Sequence, residues 1–225
     1  MGKQNYYHFL SSEYAVDNLA CNRIKVSTLE TLNDPFEFMP YRRYGFKERQ
    51  PFNKVFRTIS KKWGILCFSQ IWKEQLLWAH YANKHKGVAL GFEIPESKLI
   101  KVSYNSSEIR EKFELTNDPK KDEQNFLNLA GKKFQEWSYE KEYRLLVCLS
   151  DCTQEKGLYF IPFGNDLKVK EIILGCRFDH KKDGRRIFKL ANKTDANIIS
   201  ARPGWEDYRI HPCGTKTNLY QDSKK

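Results

Sequence analysis

The stretch Tyr139-Glu140-Lys141-Glu142-Tyr143-Arg144-Leu145-Leu146-Val147-Cys148-Leu149 decides the reading of the fold. Extended backbone alternates its side chains, so Glu140, Glu142, Arg144, Leu146 and Cys148 share one face and Tyr139, Lys141, Tyr143, Leu145 and Val147 the other. Both faces turn apolar after Arg144, as expected of a central strand covered on both sides. Its charged beginning then lies at the sheet edge or in a cleft, where burial of Glu142 requires a partner or a ligand. Arg144 is a candidate partner. Spacing alone leaves two roles open: a structural Glu-Arg pair that closes the strand, or two carboxylates that engage one small ligand and stabilise a developing positive charge. Glycoside hydrolysis by paired carboxylates is disfavoured, because side chains two apart on one strand do not flank a bond from opposite sides.

Outward from this strand the pattern is mixed. Tyr6 to Phe9 reads as a short strand, and Ser11 or Ser12 can cap a helix through Ala15, Val16, Leu19 and Ala20 before the extended Ile24 to Ser27. In Leu32-Asn33-Asp34-Pro35-Phe36-Glu37, Asn, Asp and Pro favour a structured turn. A helix is expected near Asn53 to Lys62, a buried strand over Gly64 to Ser69, and a helix in which Glu74, Leu77, Trp78, Tyr81 and His85 recur. Val88, Leu90, Phe92 and Ile94 alternate with Ala89, Gly91 and Glu93, the period of a half-buried strand. Leu99 to Tyr104 is a further strand candidate. Asn117 to Trp137 reads as one long amphipathic helix. Strands are expected over Leu158 to Phe163, Val169 to Leu174, Asn197 to Ala201 and Asp207 to His211, with a helix over Asp183 to Ala191. The fold class is α+β: mixed, mainly antiparallel sheets around a cleft with flanking helices.

The 225 residues suit one globular domain over 1–220, with a basic, aromatic insertion near 40–63 and a flexible tail at 221–225. No apolar run is long enough to span a membrane, and the short polar start, Met1 to Asn5, lacks the features of a secretory signal, so a cytoplasmic protein with no membrane partner is expected. The six cysteines lack a Cys-x-x-Cys pair and are expected to be reduced core residues, with no metal site. The net charge of +11 raises the local concentration of anions, which suits RNA, DNA or a nucleotide. Basic residues interleave with aromatics at Tyr41-Arg42-Arg43-Tyr44, Lys61-Lys62-Trp63 and Lys132-Lys133-Phe134, and Lys181-Lys182 precedes Arg185-Arg186. Such clusters either neutralise phosphates beside stacked bases or form a solvated basic face.

Four motifs then carry a resemblance. Leu32-Asn33-Asp34-Pro35-Phe36-Glu37; Cys67-Phe68-Ser69; Leu77-Trp78-Ala79-His80-Tyr81-Ala82 with His85-Lys86-Gly87-Val88; and Trp137-Ser138-Tyr139-Glu140-Lys141-Glu142-Tyr143-Arg144 follow in this order. The set resembles the uncharacterised bacterial family called domain of unknown function 2971. The opening Tyr7-His8-Phe9-Leu10-Ser11 and the late Glu-x-Glu are also similar to the ADP-ribosyltransferase superfamily, including DNA-modifying toxins whose first strand carries a Tyr-His pair.

That second resemblance implies an ADP-ribosyltransferase-like fold and an enzyme that uses NAD to modify a nucleic acid or protein, as a toxin with a neutralising partner or in defence against phage. It implies Glu142 as the carboxylate that stabilises the oxocarbenium ion, supported by Glu140, and His8 as the first-strand residue holding NAD. Ser69 or Tyr81 supplies the second motif, and Trp78, Asn33 and Arg144 complete the expected cofactor-binding set. A non-catalytic basic module that binds nucleic acid and an unrelated hydrolase or nuclease are the competing classes. The transferase requires His8, Ser69 and Glu142 to converge on one cleft.

Overall fold

The computed structural model describes residues 4–38, 46–106, 115–116 and 118–213. Strand β1 (Asn5–Leu10) ends at Ser11, whose hydroxyl accepts from the Tyr14 N–H at 3.4 Å and so starts α1 (Ser12–Ala20). The chain reverses through Asn22, at a left-handed φ of 50°, into β2 (Arg23–Thr28). Beyond the loop at 32–38 come α2 (Phe46–Ser60), β3 (Trp63–Ser69), α3 (Gln75–Tyr81), β4 (Val88–Glu93), β5 (Ile100–Lys101) and β6 (Ser103–Asn105). The Asp118 carboxylate caps α4 (Pro119–Asn128), with proline in the first turn, where its missing N–H costs nothing. Then follow β7 (Lys132–Phe134), β8 (Glu142–Cys148), β9 (Thr153–Glu155), β10 (Leu158–Pro162), β11 (Lys168–Leu174), α5 (Arg185–Thr194), β12 (Asn197–Pro203) and β13 (Ile210–Pro212).

Most of the strands form one large sheet in the order β13-β12-β11-β4-β1-β3-β2-β10-β9, antiparallel except for the β11/β12 pair. β8 lies along the other edge of β3 from Trp63↔Cys148 to Ser69↔Glu142, and β5 adds to β8. β3 is therefore shared: β1 meets its end at Tyr7↔Ser69, while β2 meets its beginning at Ser27↔Ile65 and Thr28↔Gly64. β6 and β7 form a separate parallel pair. The architecture is α+β, a large and mostly antiparallel sheet with several helices.

α1 and α5 cover one face, over Tyr6, Phe68, Leu90, Phe92, Tyr143 and Ile172. On the other face α3 sets Trp78 against Phe9, Ala89 and Ile173. Farther along that face, α2 and α4 close a second core in which Phe38, Phe52 and Phe56 surround Phe126 at 5.5–5.7 Å. Phe38 and Phe126 are buried, which stabilises the fold by roughly 1.5–3 kcal/mol each, while Phe52 and Phe56 are half-buried at the edge of this core. Part of the basic segment near 40–63 thus supplies core through α2. Tyr41-Arg42-Arg43-Tyr44 and the tail at 221–225 lie outside the described residues.

Several expectations are corrected by tertiary context. β4 is buried on both faces, not half-buried, because it is paired on both sides and covered above and below. The long helix over 117–137 stops at Asn128. Gly131 then packs so closely that a Cβ would lie 3.1 Å from Ile100 Cγ2, and the chain pairs as β7 with β6. Position 117 is outside the described residues. α3 ends at Tyr81, and Asn83, Lys84 and His85 all have positive φ, so His85 is no part of its face. None of the six cysteines is fully buried and all are free thiols. Among the described residues no helix is long and apolar enough to cross a membrane.

Candidate active site

The strand that carries Glu142 and Arg144 begins later than its pattern suggests. Residues Gln135–Glu140 form a 3-10 helix, Lys141 turns the chain at a left-handed φ of 44°, and β8 starts at Glu142. Two bonds fix this corner to the end of β3: the Gln70 N–H donates to the Lys141 carbonyl at 3.0 Å, and the Ser69 hydroxyl to the Glu140 carbonyl at 2.6 Å. Glu140 is therefore not on the strand, and alternation does not govern it. Both Glu140 and Glu142 nevertheless reach Lys133.

The result is a buried ionic network. The Arg144 guanidinium donates from Nε and Nη2 to the two carboxylate oxygens of Glu142 at 2.7 and 2.8 Å, and from Nη1 to the Ala130 carbonyl at 3.1 Å. Its Nη2 also lies 2.7 Å from Glu37 Oε2. Lys133 Nζ stands 2.6 Å from Glu140, 3.1 Å from Glu142 and 3.1 Å from Glu37. Arg144, Glu140, Glu142 and Lys133 are only 1%, 4%, 5% and 8% exposed, so these pairs act in a low dielectric and desolvation weighs against each charge. Burial pushes Glu142 upward, but Arg144 and then Lys133 overcome this and hold its carboxyl at about 2. Against the same desolvation, the neighbouring carboxylates raise Lys133.

Glu140 behaves differently. Burial raises its carboxyl above the ordinary range, opposed by Lys133 and assisted by repulsion from Glu142. Three carboxylates meet two cations, so the network carries one negative charge in excess when all five groups are ionised. Glu140 is also the member that reaches outward: the half-buried Tyr81 phenol donates to its Oε1 at 2.5 Å, and the exposed Asn33 amide donates to the Tyr81 oxygen at 3.0 Å. Burial first, then Glu140, pushes the Tyr81 phenol up, so it stays protonated. Beside Tyr81, whose ring centre is 6.1 Å from that of His80, Tyr139 lies between His80 and Trp137, with ring centres at 6.4 and 6.1 Å. Lys133 Nζ lies 4.8 Å from the Trp137 ring centre. This outer side of the network, its mouth, combines a buried carboxylate with a half-buried phenol, an exposed amide and aromatic faces.

The other expected site residues separate in the register. Partners across the sheet share a face, and the row Glu171, Gly91, Tyr7, Ser69, Glu142 runs through β11, β4, β1, β3 and β8. His8 is one position off that row. Its side chain is on the opposite face, 5.9 Å from the Phe68 ring, with Nδ1 2.9 Å from the Cys67 carbonyl. Burial lowers its basicity. The convergence of His8 with Glu142 is not found; the first-strand residue on the Glu142 face is Tyr7, whose phenol donates to Glu171 at 2.7 Å. Its ring lies against Gly91, where a Cβ would come within 3.0 Å of Tyr7 Cε1.

Trp78 is fully buried, its indole N–H donating to the Trp72 carbonyl at 2.6 Å, so it holds α3 in place and does not line the mouth. Ser69 is buried and occupied by the Glu140 carbonyl and the Ile71 N–H. Arg144 has its guanidinium committed to the network. Of the expected set, Glu140, Tyr81 and Asn33 come together at the opening, and Glu142 and Arg144 lie beneath them.

Glu37 and Lys133 complete the network and were outside that expected set. Glu37 follows an Asx turn in which Asp34 Oδ1 accepts from the Phe36 N–H at 2.9 Å, a turn legible in Asn33-Asp34-Pro35, but nothing local aims its side chain inward. Lys133 belongs to an apparently solvated basic cluster, and only the pairing of β7 with β6 carries it inside. It is too buried to meet a phosphate. Among the described residues no group of three or more His, Cys, Asp or Glu side chains is placed to hold a metal ion. No curated protein and no solved structure matches the chain. Residues 77–145, which carry Tyr81, Lys133, Glu140, Glu142 and Arg144, match the family model described as Protein of unknown function (DUF2971), the same family that the four motifs resemble.

Proposed function

We propose that this chain is an ADP-ribosyltransferase-like enzyme that uses NAD to modify a nucleic acid or protein, with Glu140 in place of Glu142 as its reactive carboxylate and without the His8–Ser69–Glu142 convergence expected of that class, since His8 lies on the opposite face of the sheet. The observation that carries the reading is Glu140, a member of a network of three carboxylates and two cations that is bonded at 2.5 Å to the half-buried Tyr81, with the half-buried rings of Tyr139 and Trp137 nearby. Breaking the nicotinamide–ribose bond sends the bonding pair out with nicotinamide and leaves positive charge on the ribose. A carboxylate beside that charge stabilises the transition state more than the neutral sugar of the ground state. The acceptor's nucleophile then adds to the same ribose carbon and releases a proton.

The surroundings divide these tasks. Glu142 is neutralised by Arg144, so it has little charge left for a ligand and serves to position Lys133 and, through it, Glu140. Tyr81 donates to Oε1 of Glu140 and Lys133 to Oε2, so both oxygens are held in place and a ligand meets their remaining lone pairs, while Asn33 fixes the phenol. The rings of Tyr139 and Trp137 offer faces on which a nicotinamide or adenine can stack. Because Glu140 acts ionised and its carboxyl is raised, activity is present above that raised value and falls as pH drops through it.

Adenine-labelled NAD incubated with the protein and with RNA, DNA or cell protein tests the reading. Label enters one acceptor class with the wild type and is lost with Glu140→Gln. Absence of both label transfer and nicotinamide release from the wild type, in every acceptor, overturns it.

A further inference from the structure

On the far side of the sheet from the ionic network, one helix presents an unusual surface. The chain enters α5 through a single wide π turn at His180–Gly184, started by the Asp179 carboxylate, which accepts from the Lys181 and Lys182 N–H groups at 3.0 and 3.1 Å. Through this turn and α5, Lys181, Lys182, Arg185, Arg186, Lys189 and Lys193 are all exposed. Spacings of three and four residues bring 182, 185, 186, 189 and 193 to one side of the helix, and 181, four residues before 185, borders the same side. Lys182 pairs with Glu13 of α1 at 2.9 Å. The other five form no ion pair among the described residues.

Five unpaired cations on adjacent turns repel one another and destabilise the isolated helix slightly, so the surface gains from meeting a dense array of negative charge. We infer that this basic face of α5 is a docking surface for the phosphate backbone of double-stranded nucleic acid, read without regard to sequence. From Lys181 to Lys193 the helix covers roughly 18 Å, a length over which a duplex carries about ten phosphate charges. The apolar side of the helix decides against an anionic membrane. Ile187 and Ala191 are 0% and 1% exposed and packed into the main core, so no aliphatic face is left to enter a lipid surface. The α5 stripe itself carries no exposed aromatic ring, which fits contact with the backbone and not with unstacked bases. In DNA and RNA duplexes the shared ligand is the phosphate array, and separate titrations distinguish them.

This inference does not rest on the transferase reading, since binding is measured without NAD. Full-length protein is titrated, by fluorescence anisotropy, into a labelled DNA duplex, the matching RNA duplex and phosphatidylserine vesicles, from about 50 to 200 mM salt. The wild type binds at least one duplex, with log affinity falling against log salt at a slope of up to about −4.5 on DNA, from roughly 0.9 per phosphate met by five free cations. Lys181→Glu/Arg185→Glu/Lys189→Glu weakens binding at least about tenfold and flattens the DNA slope by about 2.7. The charge-matched control Lys61→Glu/Lys84→Glu/Lys156→Glu, at exposed positions elsewhere, changes the affinity much less. Should the reversal triple melt early, the Gln triple at the same positions is read instead and flattens the slope equally. No duplex binding, an equal loss in the control triple, or binding to vesicles alone overturns the inference.

Discussion

Glu142 and Glu140 stand on either side of a single left-handed residue, yet their surroundings assign them opposite roles. Glu142 is gripped at both oxygens by a planar guanidinium and held at about 2. Glu140 shares Lys133 with two other carboxylates, is raised by burial, and reaches the surface through a phenol. The difference teaches that depth alone does not define a site. A buried carboxylate gripped at both oxygens by one guanidinium closes a fold, whereas one that shares its cation and is linked to the surface through a phenol keeps a role for a positively charged ligand or transition state in reach.

That contrast can be broken from its deep end first. Arg144→Met leaves Glu142 and Glu37 buried without their guanidinium and is expected to cost about 3–5 kcal/mol in urea unfolding. Glu142→Gln keeps the shape but loses the charge, for roughly 2–3 kcal/mol. The pH dependence has a definite sign. Since folding lowers the Glu142 carboxyl from its ordinary 4.5 to about 2, its stabilisation is complete above 4.5 and is lost as pH falls toward 2. Glu140 has the opposite sign, because its raised carboxyl favours the protonated folded state and stability declines as pH rises through that value. Unfolding of Glu142→Gln should therefore be flatter than wild type below 4.5, and that of Glu140→Gln should lose the decline that sets in above 4.5.

The mouth responds more weakly. Tyr81→Phe removes a charge-assisted bond and is expected to cost about 1–2 kcal/mol in thermal or urea unfolding. It should lower nicotinamide release more than stability, which a fluorescence assay for nicotinamide beside the melt would reveal. Asn33→Ala, at an exposed position, should change stability by less than about 1 kcal/mol. If Asn33→Ala instead costs as much as Arg144→Met, the division between deep and outer halves is wrong.

Much of this was legible in the sequence, for definable reasons. The alternation in β8 correctly placed Glu142 and Arg144 on one face, because both lie on regular strand, but the apolar run after Arg144 is not a central strand: Leu145, Leu146 and Cys148 are half-buried and pair with β3 alone, since the two-residue β5 meets only Tyr143 and Arg144. Glu140 was misassigned to that strand because Lys141 has no glycine or proline to betray its left-handed turn. The helix expected through Trp137 failed where β6 recruits the segment after Gly131, a contact between residues about 30 apart that no local pattern contains. For the same reason Lys133 looked solvated. The separation of His8 from Glu142 required strand register: one residue of displacement along β1 exchanges the faces and brings Tyr7 to the Glu142 side.

One paired measurement tests whether Glu140 acts on the ligand while Glu142 secures the fold. Nicotinamide release from NAD is followed for Glu140→Gln and Glu142→Gln at neutral pH, with each rate divided by the folded fraction from a urea curve on the same sample. The account predicts Glu140→Gln to be the more stable variant and to release essentially no nicotinamide, with Glu142→Gln less stable but active in its folded fraction. Undiminished release by folded Glu140→Gln, or release lost only in Glu142→Gln, would contradict it.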